Sequence, residues 1–514
     1  MMAVKQNTSY GISLKQLLTD VMPPIYLPDI PLKGLTLDSR KVQDGYVFVA
    51  LSGQTEHGLV YAQDAINNGA VAVLCDKKFD QYCQQIVSNI LSRVVCIAVD
   101  DLALHLGDIA SRFYGEPSKQ LFTVGITGTD GKTSVSHFIA QALQQNNEKS
   151  SVIGTIGNGL LNDLQVATHT TPDVIDVHKT LADNLQKNAS SVAMEVSSHG
   201  LHQQRVDGVE FDVAVLTNLG RDHLDYHSDV EAYKAAKQLL FQRQNIKSLV
   251  LNVDDDFGRE LAEKSLPHQD VWTYSLSAYK NEHHVYASQI KILTSGLQFH
   301  VQTPVGEADV NLNLLGEFNI VNALATLCVL LIKGVEFNDA IRRLETLQTV
   351  AGRMQSIRLP QQPLVVIDFA HTPQALGFAL KSLRQHCKKI LFCVFGCGGD
   401  RDQGKRPLMA AAAESLADNI IVTQDNSRNE DPAIIFSQIK SGFKKIKNIQ
   451  FIDDRQQAIE TAITQADKDD IVLVAGKGHE QYQLMAGKSL PFDDAKIARA
   501  ALNSLSLKQS RGNT

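Results

Sequence analysis

The sequence predicts an α/β protein of three domains: a small N-terminal domain, a central P-loop ATPase domain on a parallel sheet, and a C-terminal Rossmann-like α/β domain. Three observations predict this. The chain has 514 residues, room for about three domains of ordinary size. From about residue 106 onward, short apolar runs rich in β-branched residues alternate with amphipathic segments, the pattern of strands joined by crossover helices. Finally, the run Leu121-Phe-Thr-Val-Gly-Ile126 stops at a glycine-bracketed turn, Gly128-Thr-Asp-Gly-Lys-Thr133, followed by an amphipathic segment to about Leu143. That order is strand, phosphate loop, helix.

Each block can be justified in order. Residues 1–105 hold short strands and helices and end in the strand-like Arg93-Val-Val-Cys-Ile-Ala-Val99. Leu37-Asp-Ser-Arg40 is the polar spot of this block. Residues 106–346 carry apolar strands expected at 121–126, 191–196, 211–216 and 248–252. A β-rich excursion is expected at 284–313, and a further helix opens at Gly316-Glu-Phe-Asn-Ile-Val-Asn322. Residues 347–514 form a second α/β unit with strands expected near 364–368, 389–395, 418–423 and 470–475. Each of those four strands runs into a polar or glycine-rich cluster: Asp368-Phe-Ala-His371, Gly396-Cys-Gly-Gly-Asp-Arg401, Asp425-Asn-Ser-Arg428 and Gly476-Lys-Gly-His-Glu480. Ligands of open α/β sheets bind outside the carboxyl ends of strands, so four charged loops on one edge point to one site.

Composition excludes several classes. The net charge is −7 and no basic block is present, so nucleic-acid binding is not expected. No run approaches the roughly 20 apolar residues that span a bilayer, and Met1-Met-Ala-Val-Lys-Gln-Asn7 does not read as a signal segment. The cysteines, at 75, 83, 96, 328, 387, 393 and 397, are scattered and odd in number, and read as reduced core residues of a cytoplasmic protein. Cys393 and Cys397 are spaced like metal ligands but lack a second pair to complete a site.

The phosphate loop carries the chemistry. Gly128 and Gly131 let the backbone approach a polyphosphate, and the N–H groups opening the helix point at the anion. Lys132 can reach the β- and γ-phosphates and the Thr133 hydroxyl can bind Mg²⁺. The spacing is more compact than the strict G-x-x-x-x-G-K-[ST] pattern. In Ser191-Val-Ala-Met-Glu-Val-Ser-Ser-His-Gly200, Glu195 ends an apolar strand, where an acid must be paired or metal-bound. In Thr217-Asn-Leu-Gly-Arg-Asp-His-Leu-Asp-Tyr-His227, His223 and His227 stand four apart beside Asp222 and Asp225. A zinc site here would need an improvised four-ligand set, and a role beside Mg²⁺ and the γ-phosphate is the expected one. Lys237, in Ala235-Ala-Lys-Gln-Leu-Leu-Phe241, is not distinguished by composition from Lys234.

Taken together, these motifs resemble the Mur ligases, ATP-dependent amide-bond-forming enzymes of peptidoglycan precursor synthesis. The resemblance spans almost the whole chain. It rests on Gly128-Thr-Asp-Gly-Lys-Thr133, Met194-Glu-Val-Ser-Ser-His-Gly200, Asn218-Leu-Gly-Arg-Asp-His-Leu-Asp-Tyr-His227, Gly316-Glu-Phe-Asn-Ile-Val-Asn322, Asp368-Phe-Ala-His-Thr-Pro373 and Gly396-Cys-Gly-Gly-Asp-Arg-Asp-Gln-Gly-Lys-Arg-Pro-Leu-Met409. Within the family it is similar to the type that adds the third peptide residue. That implies three substrates: ATP, UDP-N-acetylmuramoyl-L-alanyl-D-glutamate and meso-2,6-diaminopimelate. It also implies Mg²⁺ as cofactor, a cytoplasmic monomer, and neither nucleic acid nor membrane as partner. The implied domain roles are UDP-substrate binding for 1–105, ATP binding for 106–346 and amino-acid binding for 347–514.

The resemblance also implies residue roles. Gly128, Thr129, Asp130, Gly131, Lys132, Thr133 and Ser134 would cradle the ATP phosphates. Asn319 and Asn322 would contact the adenine and Asp368 the ribose, with Arg353 and His371 completing the nucleotide site. Thr133, Glu195, His223 and Lys237 would hold metal, Lys237 as the N6-carbamate. Ser39 would touch the UDP part; Thr170, Thr171, Ser197 and Arg205 the muramoyl dipeptide. Asp425, Asn426, Arg428, Arg401, Gly476 and Glu480 would take diaminopimelate. ATP is expected to be clamped between the second and third blocks. Four positions depart from the family pattern: Ser427 stands where proline is usual and Asp130 where asparagine is common, with Gly220 and Phe369 as smaller departures. An L-lysine-adding ligase, a folylpolyglutamate synthetase relative and an ATP-hydrolysing switch or binding protein are the competing readings. Arg428 favours diaminopimelate, because lysine lacks the distal carboxylate that a guanidinium would grip.

Overall fold

The computed structural model describes residues 11–24, 27–53, 56–78, 81–90, 93–144, 148–445 and 448–512. It divides into two compact units, residues 1–273 and 274–514.

The first unit contains two sheets. Gly34–Thr36, Tyr46–Ala50, Ala70–Asp76 and Val95–Val99 form a four-stranded parallel sheet in sequence order. Val47, Val49, Ala72 and Leu74 alternate onto one face, where the helices Leu102–Phe113 and Val174–Gln186 bury them. Phe48, Ala50, Val73 and Cys75 supply the opposite core. The second sheet runs Ser248–Asn252, Val213–Leu216, Phe122–Thr127, Ala189–Glu195, Lys149–Ile153, all parallel. The phosphate-loop strand is therefore central. Its Val124 and Ile126 are fully buried, as expected of a strand covered on both faces. A short antiparallel extension, Asn158–Leu160 with Asp163–Gln165, follows and was not legible in the sequence.

The second unit opens with an antiparallel meander, His283–Leu293, Gly296–Thr303 and Gly306–Leu312, which fills the β-rich segment expected at 284–313. The helix Phe318–Ile332 follows. A six-stranded sheet follows in the order Gln355–Ile357, Leu364–Asp368, Ile471–Ala475, Leu391–Phe395, Asn419–Val422, Ile449–Phe451. Its first strand is antiparallel and the others are parallel. Val366, Cys393, Val422 and Leu473 bury one face under the helices Pro373–His386, Lys405–Leu416 and Pro432–Lys440. Val365, Val394, Ile421 and Val472 bury the other under Arg455–Gln465 and Asp494–Gly512. Because the four expected strands are parallel, their four polar loops leave the same edge of the sheet.

Inside this unit a histidine fastens the meander to the later sheet. His386, at the end of its helix, places Nδ1 2.6 Å from the Leu293 carbonyl and accepts the Gly316 N–H on Nε2 at 2.9 Å. The seven cysteines are free, five of them buried. Cys393 lies inside a strand, and Cys397 Sγ packs 3.6 Å from Met409 Sδ rather than facing a ligand. No described helix is long and apolar enough to cross a membrane.

Candidate functional site

In the first unit the phosphate loop leaves the strand Phe122–Thr127 and enters the helix Lys132–Leu143 through Gly131, whose φ is +83°. Gly128 has φ +149°, and a Cβ there would overlap the Thr217 hydroxyl, so only glycine fits. The neighbouring strand end fixes the loop. The Thr217 hydroxyl and Asn218 Nδ2 both donate to the Asp130 carbonyl, at 2.6 and 3.1 Å, and Asp130 N–H donates to Asn218 Oδ1 at 3.0 Å. Thr129 Oγ1 accepts the Gly220 N–H at 2.7 Å and lies 3.0 Å from the Tyr233 hydroxyl. Burial pushes that phenol up to about 12, so it stays protonated. Lys132 folds over its own loop, donating to the Gly128 and Thr129 carbonyls at 2.8 Å each.

Glu195 is the centre of the next layer. It ends its strand almost fully buried and is held by three donors. The Thr133 hydroxyl reaches Oε2 at 2.9 Å, Thr155 N–H reaches Oε1 at 2.8 Å, and Thr155 Oγ1 lies 3.2 Å from Oε2. Thr155 Oγ1 is in turn 3.1 Å from Thr170 Oγ1. Thr171 donates its hydroxyl to the Glu195 carbonyl at 2.9 Å and accepts the Ser197 N–H at 3.0 Å. Arg205 closes the chain, donating to the Thr171 carbonyl at 2.8 Å. The structure thus brings Thr133, Glu195, Thr170, Thr171, Ser197 and Arg205 into one connected network. Ser39 lies apart, buried at the start of the short 3-10 helix Ser39–Lys41 between the first two strands of the four-stranded sheet. Its neighbour Lys41 pairs with Asp176 at 3.2 Å.

The two lysines of the helix Val230–Phe241 separate sharply. Lys234 is partly exposed and paired with Glu260, whereas Lys237 is buried and donates to the Gly128 carbonyl at 2.8 Å. Burial, and then the neighbouring Lys132, hold the Lys237 ammonium well below the usual lysine range. His223 sits on an exposed loop with φ +55°, its ring edge-on to His199 at 4.9 Å. His227 is buried with Nε2 3.0 Å from Ser198 Oγ. Among the described residues no three His, Cys, Asp or Glu side chains assemble as a metal cluster, so the zinc alternative has no ligand set. The Thr133 hydroxyl and Glu195 carboxylate are hard oxygen donors and suit Mg²⁺. Lys237 as an ammonium does not suit a cation; as a carbamate it would.

In the second unit Asn319 and Asn322 are buried in the first two turns of their helix, Asn322 Nδ2 donating to Asn319 Oδ1 at 3.0 Å. Asp368 closes its strand and accepts Met354 N–H at 2.7 Å and Ala370 N–H at 2.9 Å. Burial pushes its carboxyl upward. Arg353 stacks its guanidinium 5.0 Å from the Phe369 ring centroid, beside His371, whose Nδ1 lies 2.8 Å from the Phe369 carbonyl. Gly352 and Gly478 pack so closely that a Cβ on Gly352 would overlap the His479 nitrogen.

The strand-end loops converge. Arg428 Nη1 donates to the Gly399 carbonyl at 2.8 Å, and Arg428 N–H donates to Leu484 at 3.0 Å. Asn426 Nδ2 donates to Glu480 Oε2 at 2.9 Å. A Cβ on Gly476 would meet the Asp425 carboxylate. Arg401 is exposed on the adjoining loop.

Sequence reasoning passed over four contributors. Thr155 and Tyr233 carry no motif signal. Arg406 and Lys477 lie inside the quoted motifs but look like ordinary surface cations; both side chains are fully buried. Arg406 grips Glu430 at 2.6 and 2.7 Å, and that carboxylate accepts Asp400 N–H at 3.0 Å. The pair ties the Gly396–Arg401 loop to the segment after Arg428.

A phosphate loop whose neighbouring strand presents a buried acid is the arrangement of an enzyme that uses a nucleoside triphosphate. Three family descriptions match the chain: Mur ligase family, catalytic domain, over residues 31–114; Mur ligase middle domain over 126–330; and Mur ligase, glutamate ligase domain, over 352–478. The chain belongs to the Mur ligase family. It is 44% identical over 494 residues to the UDP-N-acetylmuramoyl-L-alanyl-D-glutamate–2,6-diaminopimelate ligase of Coxiella burnetii, covering 96% of this chain and 100% of that one. The enzyme of the same name from Pseudomonas aeruginosa is 45% identical, covering 92% and 96%. A solved structure bearing that enzyme name superposes with a TM-score of 0.72 at 35% identity, over 96% of this chain and 99% of that one. Folylpolyglutamate synthase of Mycobacterium tuberculosis shares the fold alone, at 18% identity and a TM-score of 0.55 over 73% of this chain and 92% of that one.

Proposed function

We propose that this ligase joins meso-2,6-diaminopimelate to UDP-N-acetylmuramoyl-L-alanyl-D-glutamate at the expense of ATP, in cytoplasmic peptidoglycan precursor synthesis. The observation that carries the reading is the network Thr133–Glu195–Thr155–Thr170, which links the phosphate loop to the residues assigned to the muramoyl dipeptide. The division into 1–105, 106–346 and 347–514, with the residue roles given above, belongs to the same proposal.

An amide does not form from a carboxylate and an ammonium in water without activation. The D-glutamyl γ-carboxylate attacks the ATP γ-phosphorus, the bond to ADP breaks, and an acyl phosphate results. The amine of diaminopimelate, after losing a proton, attacks the acyl carbon; the tetrahedral intermediate expels phosphate. Lys132 leaves its loop carbonyls to follow the charge on the transferring phosphoryl group, and the loop N–H groups hold the β-phosphate. Arg205 holds the dipeptide, and Arg428 grips the distal carboxylate of diaminopimelate with the guanidinium nitrogens not spent on Gly399. Mg²⁺, held by Thr133, Glu195, His223 and a Lys237 carbamate, would neutralise phosphate oxygens. The low proton affinity of Lys237 supports the carbamate, since only the neutral amine adds to CO₂, releasing one proton.

The test is ADP release with the UDP-muramoyl dipeptide, with and without meso-diaminopimelate or L-lysine. Release that depends on diaminopimelate and disappears in Lys132→Ala is expected. Release that prefers lysine, ignores both amino acids or persists in Lys132→Ala rejects the reading.

A further inference from the structure

Lys477 is a fully buried lysine in the Gly476–Glu480 turn, and the mechanism above does not use it. Its ammonium donates to Glu480 Oε2 at 3.0 Å and to Asn426 Oδ1 at 3.0 Å, and lies 5.6 Å from the Tyr482 ring centroid. Asn426 Oδ1 also accepts Leu484 N–H at 2.9 Å, while its Nδ2 donates to the same Glu480 oxygen. Two donors on Oδ1 fix which way this amide faces, because a flip would set its NH₂ against the ammonium. Both Glu480 bonds fall on Oε2, which leaves Oε1 for an incoming group. A buried cation is costly to desolvate and persists only where its partners are well placed.

We propose that Lys477 is a positioning and specificity-determining residue for the amino-acid substrate. It locks Asn426 and Glu480 into one unit and sets the charge of the pocket. The charged residues assigned to the pocket, Arg401, Arg428 and Lys477 against Asp425 and Glu480, sum to one net positive charge. The distal end of diaminopimelate brings a carboxylate for those cations and an ammonium for the two acids, and fits. The distal end of L-lysine carries an ammonium alone and is not matched. Removing Lys477 takes away the positive excess, which lowers the penalty on an end that carries only an ammonium. This inference rests on the diaminopimelate reading above.

The experiment compares Lys477→Met and Lys477→Gln with the full-length wild-type chain, alone and combined with Glu480→Gln. A rise of about tenfold or more in KM for diaminopimelate is expected, the size of a lost charged hydrogen bond. KM for ATP and for the UDP-muramoyl dipeptide should stay within about twofold. The kcat/KM preference for diaminopimelate over lysine should fall at least about fivefold. In the Glu480→Gln background the further effect of Lys477→Met should shrink to about threefold or less, since the lysine acts through that carboxylate. Unchanged KM and preference, full additivity with Glu480→Gln, or failure of both lysine variants to fold would overturn the proposal in favour of a purely structural lysine. A wild-type chain with no diaminopimelate-dependent ADP release would instead remove the reading beneath it.

Discussion

At the scale of single residues, depth rather than type decides chemistry. Lys234 and Lys237 share a helix and stand one turn apart, yet one meets Glu260 near the surface and the other lies buried against the phosphate loop. Lys237→Ala should lose most of the ADP-release activity and regain part of it with millimolar short carboxylic acids, which can stand in for a carbamate oxygen. Full activity of that variant without added acid would count against a modified lysine. The same contrast governs Glu195. An acid at the end of an apolar run demands partners, and that much is legible from the sequence. That two of its donors come from Thr155, in the segment after the neighbouring strand Lys149–Ile153, is not: residues 155 and 195 are brought together only by parallel strand pairing.

At the scale of elements, the amino-acid loop Asp425–Arg428 is braced rather than intrinsically stiff. The hairpin Tyr482–Met485 with Lys488–Pro491 supports it: Gln483 Nε2 donates to the Asp425 carbonyl at 3.0 Å and Leu484 accepts from Arg428 N–H. Serine at 427 therefore costs the loop little. The Ser427 carbonyl accepts Glu430 N–H at 3.1 Å, its own N–H makes no backbone hydrogen bond among the described residues, and its φ is not positive. Ser427→Pro should thus raise the unfolding free energy read from a urea titration by up to about 1 kcal/mol without raising KM for diaminopimelate. A destabilised variant, or a KM several-fold higher, would show that the serine N–H or backbone angle matters. The bracing hairpin escaped the sequence reading for a physical reason. Its second strand, Lys488–Pro491, is exposed throughout and carries no burial alternation. The strands Leu364–Asp368, Leu391–Phe395 and Ile471–Ala475 were legible because burial on both faces demands an unbroken apolar run.

At the scale of the whole molecule, two buried histidines set an acid limit. His178 lies between the first unit's two sheets with Nε2 2.9 Å from the Asp207 carbonyl, and His137 is buried in the phosphate-loop helix. Burial pushes each imidazole down to about 4. In the unfolded chain they take up protons near pH 6.5, and in the folded chain only near pH 4. The folded state then binds fewer protons between those values, so stability is full above pH 6.5 and falls as pH drops toward 4. The loss reaches at most about 3 kcal/mol per histidine. Thermal midpoints measured from pH 7.5 to 4.5 should decline over this window, and His178→Gln should flatten the decline. A profile identical to wild type would reject the assignment to His178. The sequence by itself determined most of the buried apolar strands, the phosphate loop, the polar strand ends and the family, because those follow from local periodicity, backbone sterics and residue type. Only the tertiary structure decided which lysine is buried, what holds Glu195, how Arg406 and Lys477 support the amino-acid loops, and that His386 fastens Gly316. Burial and hydrogen-bond partnership depend on residues far apart in the chain, and nothing in local spacing specifies them.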